Sequence, residues 1–529
     1  MQHRDIVTLS KIVKEAEFAI KMLSDIPQSV FINDEILKRA AAMSAINIGE
    51  LVKNLSQEFR NEYNNVPWKA ISGFRDIAAH KYGTLDMCIV YNTIKVDIPA
   101  LKKSIENILS KINCKDNLIK MKKNLLVAQS GGPTAVINSS LAGVIRGGIE
   151  NSDLVGEIYG SLNGIEGVEN DQIISLEHFR DADRLALLMQ TPSSYLGSCR
   201  KKLPTAAEDA EFYSRIMSVL KKHNIGYFFY IGGNDSMDTA DKLSRYAADI
   251  GDDIRIVGIP KTIDNDLAVT DHTPGYGSAA KFVANSLRQL TLDTGVYKMK
   301  SVIVLEIMGR NAGWLAAAAA LANDSTLRAA DIICLPEVTF EPEKLLEKVE
   351  TVSKSQKTVM LAVSEGIKGA DGSYVAENKL KAFGRDDKFA HAVLGGVGRT
   401  VEAMIAAELG LKTRTIELST LQRCWAAGAS LCDVNEAFEA GRRGVEFAVR
   451  DGLTCVMPCF RRISDDPYKM EIVPLDVNLA ANLEKKVPES MIAADGFGVT
   501  EEFIKYASPL IAGEPVPIYK NGVMQFERL

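Results

Sequence analysis

Asp264 and Asp266 stand two residues apart in the run Pro260-Lys261-Thr262-Ile263-Asp264-Asn265-Asp266, directly after the strand-forming Ile254-Arg255-Ile256-Val257-Gly258-Ile259. This is equipment for phosphoryl transfer. A hydroxyl that attacks phosphorus needs a positioned base to take its proton, and Asp264 suits that role. Upstream, a second strand-like run, Tyr227-Phe228-Phe229-Tyr230-Ile231, opens into Gly232-Gly233-Asn234-Asp235-Ser236, a turn whose backbone can approach an anion closely. Asp235 and Asp266 can then hold Mg²⁺, a hard cation that takes few carboxylates and keeps several waters. Aspartates in turns also cap helices, but two such loops side by side read as chemistry.

Elements that would position these loops follow from the pattern. After Lys123 the chain alternates strand, loop and helix, as in a doubly wound parallel sheet. Strand candidates are Leu125 to Ala128, Tyr227 to Ile231, Ile254 to Ile259, Val302 to Ile307, Ile332 to Leu335, Val359 to Val363 and Thr415 to Leu418. Ligands of open α/β sheets sit at the carboxyl ends of strands, where nearly all the motifs fall. Gln129-Ser130-Gly131-Gly132-Pro133-Thr134 follows the first strand, and a helix beginning near Ala135 would point its unpaired amides back at that loop. Leu196-Gly197-Ser198-Cys199-Arg200-Lys201-Lys202 adds consecutive cations after a glycine.

At 529 residues, 46% hydrophobic and 25% charged, the chain can fill large cores and form several domains. Its net charge of -6 argues against wholesale nucleic-acid or membrane binding. The eight cysteines lack metal-ligand spacing and read as reduced thiols. No signal-like segment opens the chain, and the alanine-rich run Trp314 to Ala322 is too short to span a bilayer, so a cytoplasmic protein is expected. Residues 1–115 show helical periodicity, with Ile12, Ala16, Ala19, Ile20 and Leu23 on one stripe and a further helix from about Pro99 to Ile112. Turns are expected near Pro27, Pro67 and Gly83. We expect a helical bundle over 1–115, a polar linker over 116–123 and an α/β region over 124–529.

The α/β region resembles the phosphofructokinase family. The resemblance rests on Gly131-Gly132, Gly197-Ser198-Cys199-Arg200, the Gly232 to Ser236 loop, Pro260 to Asp266, Met308-Gly309-Arg310-Asn311-Ala312-Gly313-Trp314, Pro336-Glu337, Thr413-Arg414 and Leu421-Gln422-Arg423, in that order. It implies three-layer αβα domains with parallel sheets, built as two interleaved subdomains. It further implies Asp264 as general base, Thr262 and Lys261 beside the transferred group, and Arg310 as a transition-state cation. Gly132, Arg200, Gly233, Asp235 and Ser236 would line the donor site. Met308, Gly309, Glu337, Arg414 and Arg423 would bind fructose 6-phosphate, with guanidinium forks on its phosphate. Because the family's acceptor site borrows arginines from a neighbouring subunit, a homodimer or higher homo-oligomer is implied.

The donor is decided by two positions. ATP-using members carry glycine where this chain has Asp235, whose carboxylate would occupy and repel the nucleotide α-phosphate, and glycine where it has Lys261. Both changes suit pyrophosphate and resemble the pyrophosphate-dependent branch, which implies a reversible reaction. The alternative keeps ATP. Departures from the family are Asn234 in place of an aspartate, Ser301 with Lys298 and Lys300 nearby in place of an arginine, and Thr420 where an aromatic residue or histidine is frequent.

Residues 1–110 resemble the HepT-type branch of the HEPN helical bundles through Asn47-Ile48-Gly49-Glu50, Pro67-Trp68-Lys69-Ala70-Ile71 and Arg75-Asp76-Ile77-Ala78-Ala79-His80-Lys81-Tyr82. The resemblance implies a ribonuclease site at Arg75, His80 and Tyr82 and a partner in RNA or a nucleotidyltransferase. Lys81 departs from the acidic residue common after the histidine. A bundle that only dimerises or binds a partner is the other reading, and a toxin or RNA-binding protein with the kinase as carrier is a third.

Overall fold

A computed structural model describes residues 3–80, 86–119, 122–376, 396–481 and 483–529. The chain divides into two compact units, Met1–Met121 and Lys122–Leu529. Among the described residues no helix is long and apolar enough to cross a membrane.

The first unit is all helical, with long helices over His3–Met22, Glu35–Lys53, Trp68–His80 and Ile98–Ile119. Asp34 caps the second, accepting hydrogen bonds from the Ile36 and Leu37 amides. Leu9, Ile12, Ala16, Ala19 and Leu23 fill the core together with Ala41, Ile48, Val52, Ile105 and Ile108. Gly49 is required by packing, because a Cβ there would lie 2.4 Å from Arg75 Cβ and force the helices Glu35–Lys53 and Trp68–His80 apart. The last helix runs on to Ile119 and the next strand begins at Lys123, so within the linker expected over 116–123 residues 116–119 are helical and residue 123 belongs to a strand. No glycine or proline follows Pro99 in that segment to stop it. The turn expected at Gly83 lies outside the described residues.

The second unit holds two sheets. Their strands are β1 (Lys123–Gln129), β2 (Val155–Ser161), β3 (Ile173–Ser175), β4 (Ile225–Gly232), β5 (Arg255–Pro260), β6 (Ser301–Ile307), β7 (Ile332–Cys334), β8 (Thr358–Ser364), β9 (Lys412–Glu417), β10 (Val456–Asp465) and β11 (Tyr468–Asp476). One sheet has the order β11-β10-β5-β4-β1-β2-β3, the other β7-β8-β6-β9. After β5 the chain leaves the first sheet, builds the whole of the second, and returns through the helix Leu431–Val449 to add β10 and β11. The smaller sheet is parallel throughout, whereas the larger carries antiparallel edges at β3 and β11. Strands β2, β3, β10 and β11 were not among the sequence candidates, and β9 begins three residues earlier than expected. These strands, the outer two on either side of the larger sheet, are partly exposed and hold polar residues or proline, so they lack the continuous apolar run of buried parallel strands. The alanine-rich run around Trp314 is buried in the core between the smaller sheet and the helix Tyr276–Thr294.

Candidate active site

Most of the chemical loops leave carboxyl ends of strands: residues 130–136 after β1, 233–236 after β4, 261–275 after β5, 308–313 after β6 and Glu365 after β8. Gly232 has no room for a side chain, since a Cβ would lie 1.9 Å from Ser236 Oγ. Ser236 Oγ in turn meets Ser130 Oγ at 2.5 Å, which ties the β4 loop to the β1 loop.

Lys261 is only 2% exposed, and its Nζ donates to Gly132 O at 2.7 Å. Burial pulls its ammonium down to about 8 despite the nearby Asp264 carboxylate. Glycine at 132 leaves space for two guanidinium groups, because a Cβ there would stand 3.3 Å from Arg423 Nη1 and 3.9 Å from Arg200 Nη2. Lys261, Arg200 and Arg423 therefore converge on the Gly131-Gly132 turn.

The carboxylates sit in a loop that is tightly closed. Asn265 takes a positive φ of 55° and turns inward, its Oδ1 accepting from Thr273 N at 3.1 Å and its Nδ2 donating to Tyr506 Oη at 2.8 Å. Asp264 and Asp266 flank it, partly exposed. Asp264 N donates to Thr262 Oγ1 at 3.1 Å. Burial raises the Asp264 carboxyl, opposed by the charges of Lys261, Arg310 and Arg423 and by the Thr262 hydroxyl. Asp266 is pushed to about 7, first by burial and then by Asp264. Arg310 follows Gly309, whose φ of +142° excludes a side chain. Ser364 Oγ holds this turn by donating to Gly309 O at 2.5 Å.

Glu365 was missed by the sequence reading. Its Oε1 lies 3.5 Å from the Gly309 amide, and burial followed by the Asp264 charge raises it to about 7, so it belongs to the same cluster. The available signal was its place directly after β8, in Ser364-Glu365-Gly366. Glu337, expected there, gives one oxygen to backbone, Oε1 accepting from Gly313 N at 2.9 Å and from Val487 N at 3.0 Å, while its Oε2 is buried without a hydrogen-bond partner. The reason is that Gly313 and Val487 approach from a turn and a later segment that no motif couples to Glu337.

Arg414 does not join the cluster. It is exposed on the edge strand β9, in register with Ile303, well before the carboxyl end of β6. Asp235 is exposed in the first turn of the helix Asn234–Asp249. Asn234 makes contacts that sequence could not reveal: its Nδ2 donates to Ala480 O at 2.9 Å and Leu483 O at 3.2 Å, and the other end of the amide lies 3.4 Å from Asp266 Oδ2. Among the described residues no three histidine, cysteine or acidic side chains are grouped to hold a metal. The Asp266 carboxylate, raised by the Asp264 charge and 3.4 Å from the outer end of the Asn234 amide, offers oxygen donors of the kind a hard cation takes.

Behind the loop, His272 is clamped by Asp271 Oδ1 on Nδ1 (2.9 Å) and Glu436 Oε2 on Nε2 (2.7 Å). Arg462 bonds Asp271, and Tyr468 Oη donates to Glu436 at 2.8 Å. Although burial works against it, the Glu436 charge and both carboxylate bonds raise His272 from 6.5 to about 9. A raised pKa means the stabilisation is complete below the unfolded value of 6.5 and is lost as pH climbs through about 9. The contribution is about 3 kcal/mol. Unfolding midpoints measured against pH are expected to fall across that window in the intact protein and to lose that slope in His272→Gln. An equal slope in both would disprove the assignment.

In the first unit, Arg75 Nε pairs with Glu50 Oε2 at 2.7 Å. His80 ends its helix, but its side chain, like all of Tyr82, lies outside the described residues.

Residues 124–448 match the phosphofructokinase family model, and residues 12–108 match the model described as ribonuclease HepT-like. The chain is 43% identical over 409 residues to the pyrophosphate–fructose 6-phosphate 1-phosphotransferase of Methylococcus capsulatus, covering 77% of this chain and 96% of that one. Identity to the enzyme of the same name from Xanthomonas campestris is 42% over the same shares. The crystal structure of a pyrophosphate-dependent phosphofructokinase from Nitrosospira multiformis superposes with a TM-score of 0.70 at 40% identity, covering 77% of this chain and 96% of that one.

Proposed function

The chain belongs to the phosphofructokinase family, and we propose that it transfers a phosphoryl group from pyrophosphate to the C1 hydroxyl of D-fructose 6-phosphate, reversibly. The observation that carries this reading is the Lys261 ammonium, buried under the Gly131-Gly132 turn beside Arg200 and Arg423. Three cations on one glycine turn suit a compact, highly charged inorganic donor.

Asp264 takes the proton from the C1 oxygen as that oxygen bonds to phosphorus and the bridging bond to the leaving phosphate breaks. A carboxyl raised by burial is well matched to receive that proton and return it in the reverse reaction. Arg310, electrostatically coupled to both Asp264 and Glu365, neutralises charge on the transferred group. Glu365 faces the acceptor sugar. Asp266 and the Asn234 oxygen would hold Mg²⁺, which supplies charge neutralisation to the diphosphate when bound. The exposed position of Asp235 makes it a steric and electrostatic barrier to a nucleotide rather than a metal ligand.

Arg414, exposed on an edge strand, fits a role in the site of a second copy. The exposed Leu292, Val296, Tyr297 and Met299 support this, with Lys412 Nζ lying 3.9 Å from Met299 Sδ on the same flank. A homo-oligomer in the cytoplasm is the corresponding assembly. The first unit is a HepT-like module for RNA or a protein partner. Cleavage of RNA by the full chain that His80→Ala abolishes would mark it as a nuclease, and no cleavage by either would leave an interaction module.

A coupled assay for fructose 1,6-bisphosphate, run with each donor separately, tests the main reading. Turnover is expected with pyrophosphate and not with ATP. The kcat/KM for pyrophosphate is expected to fall as pH rises through about 8, where Lys261 loses its proton and its attraction for the donor. Turnover with ATP alone would overturn the reading.

A further inference from the structure

The stretch from Thr191 to Arg200 carries Arg200 to the donor turn without helix or strand to hold it. On one side it is stitched to the β1 loop. Ser193 N donates to Thr134 O at 3.1 Å, Ser198 Oγ to Gly131 O at 2.6 Å, and Gly131 N to Cys199 O at 3.0 Å. Tyr195 N and Leu196 N donate to Asn138 Oδ1 and Gln129 Oε1. On the other side it rests against residues from far along the chain. Gln190 Nε2 donates to Gln525 O at 2.6 Å, and Gln190 Oε1 accepts from Ile518 N at 2.9 Å. Glu527 N donates to Thr191 Oγ1 at 2.9 Å, and the Glu527 carboxylate takes Arg184 in a two-point pair, Nη2 to Oε1 at 2.6 Å and Nε to Oε2 at 3.4 Å.

We propose that Glu527 is a positioning residue for the pyrophosphate site, acting through Arg184 and Thr191 on the stretch that carries Arg200. The inference rests on the donor reading above. A half-buried pair with two-point geometry holds its partners better than a surface ion pair does: the Glu527 side chain is 9% exposed, and the Arg184 guanidinium also lies over the Phe179 ring at 5.7 Å. The pair closes the helix Ala182–Gln190 onto Glu527 just before the irregular stretch begins, so its loss frees the near end of a segment whose far end bears a donor-binding cation. Groups that bind a reacting anion must be held within fractions of an ångström, and the residues behind them set that tolerance. The fructose 6-phosphate side of the site, built on the β6 and β8 loops, has no bond to this stretch among the described residues.

The test is steady-state kinetics on the full chain with both substrates varied. Glu527→Ala and Arg184→Ala are each expected to raise KM for pyrophosphate about tenfold, the loss of roughly one charge-assisted bond. KM for fructose 6-phosphate is expected to stay within about twofold. The double variant should be no worse than either single one, because both remove the same pair. Glu527→Gln, which keeps one acceptor, should recover part of the affinity. Thr191→Val, which removes the hydroxyl that receives the Glu527 amide and itself donates to Leu187 O in the helix behind it, repeats the experiment without disturbing a charge and covers the case of a variant that fails to fold. Equal rises in both KM values, a fall in kcat alone, or additive effects in the double variant would overturn the proposal. Absence of pyrophosphate turnover in the unaltered protein would instead overturn the donor reading on which it rests.

Discussion

Asp264→Asn is expected to lower kcat by about 10² to 10⁴-fold while leaving the binding of both substrates within a few-fold. Asparagine keeps the shape of the side chain, and the backbone amide of residue 264 still donates to the Thr262 hydroxyl, so the loop closed by Asn265, Thr273 and Tyr506 should survive. What it cannot do is accept a proton. The local electrostatics sharpen this expectation, because burial already raises the Asp264 carboxyl while three cations oppose that rise, and the substitution removes an anion on which all three act. Binding of fructose 6-phosphate measured by calorimetry, together with kcat from the coupled assay, separates the two effects. A variant that kept more than about a tenth of the original kcat would show that another group takes the proton.

The second large effect concerns the donor. Asp235→Gly combined with Lys261→Gly is expected to gain turnover with ATP and to lose most turnover with pyrophosphate. Asp235 puts a carboxylate in the first turn of the helix Asn234–Asp249, where helix amides would otherwise welcome an anionic α-phosphate. Lys261 fills the space beneath Gly131, with a Cβ built on that glycine only 3.2 Å from its Nζ. Removing it opens room and withdraws a charge from the donor turn. It also leaves Gly132 O without its buried donor, at a cost of about 1 to 3 kcal/mol, so the double variant should melt at a lower temperature than the parent. Assays run well below the new melting point, with each donor over a wide concentration range, check the switch. An unchanged donor preference in a folded double variant would refute the steric and electrostatic account of these two positions.

Much of the larger unit was legible because buried parallel strands announce themselves. The runs that became β1, β4, β5, β6 and β8 are short and apolar, most of them with β-branched or aromatic residues, and each leads within two residues into a glycine, a proline or a small polar turn. Their loops were legible for the same reason, since a motif that trails such a strand must lie at one edge of the sheet. The strands that escaped, β2, β3, β10 and β11, lie toward the margins of the larger sheet, where one face or one end meets water and the apolar pattern is broken. The first unit was readable as a bundle from its helical stripe, and Gly49 beside Arg75 shows why a Gly-Glu pair marks that bundle: the glycine permits the close helix approach and Glu50 holds the arginine.

From sequence alone came the residues able to do chemistry and their order along the chain: a carboxylate pair, an arginine after Met-Gly, glycine turns, and a lysine and an aspartate where a nucleotide would need space. Those follow from side-chain chemistry and local spacing, which a linear chain displays. Tertiary structure decided which of them meet. It brought in Glu365, set one Glu337 oxygen to brace the Gly313 turn, and held Arg414 out on an edge strand. It also set the Asn234 amide against two carbonyls from beyond residue 479. Such pairings depend on where distant segments cross, and their hydrogen bonds carry no periodicity or composition that a local reading of the chain could detect.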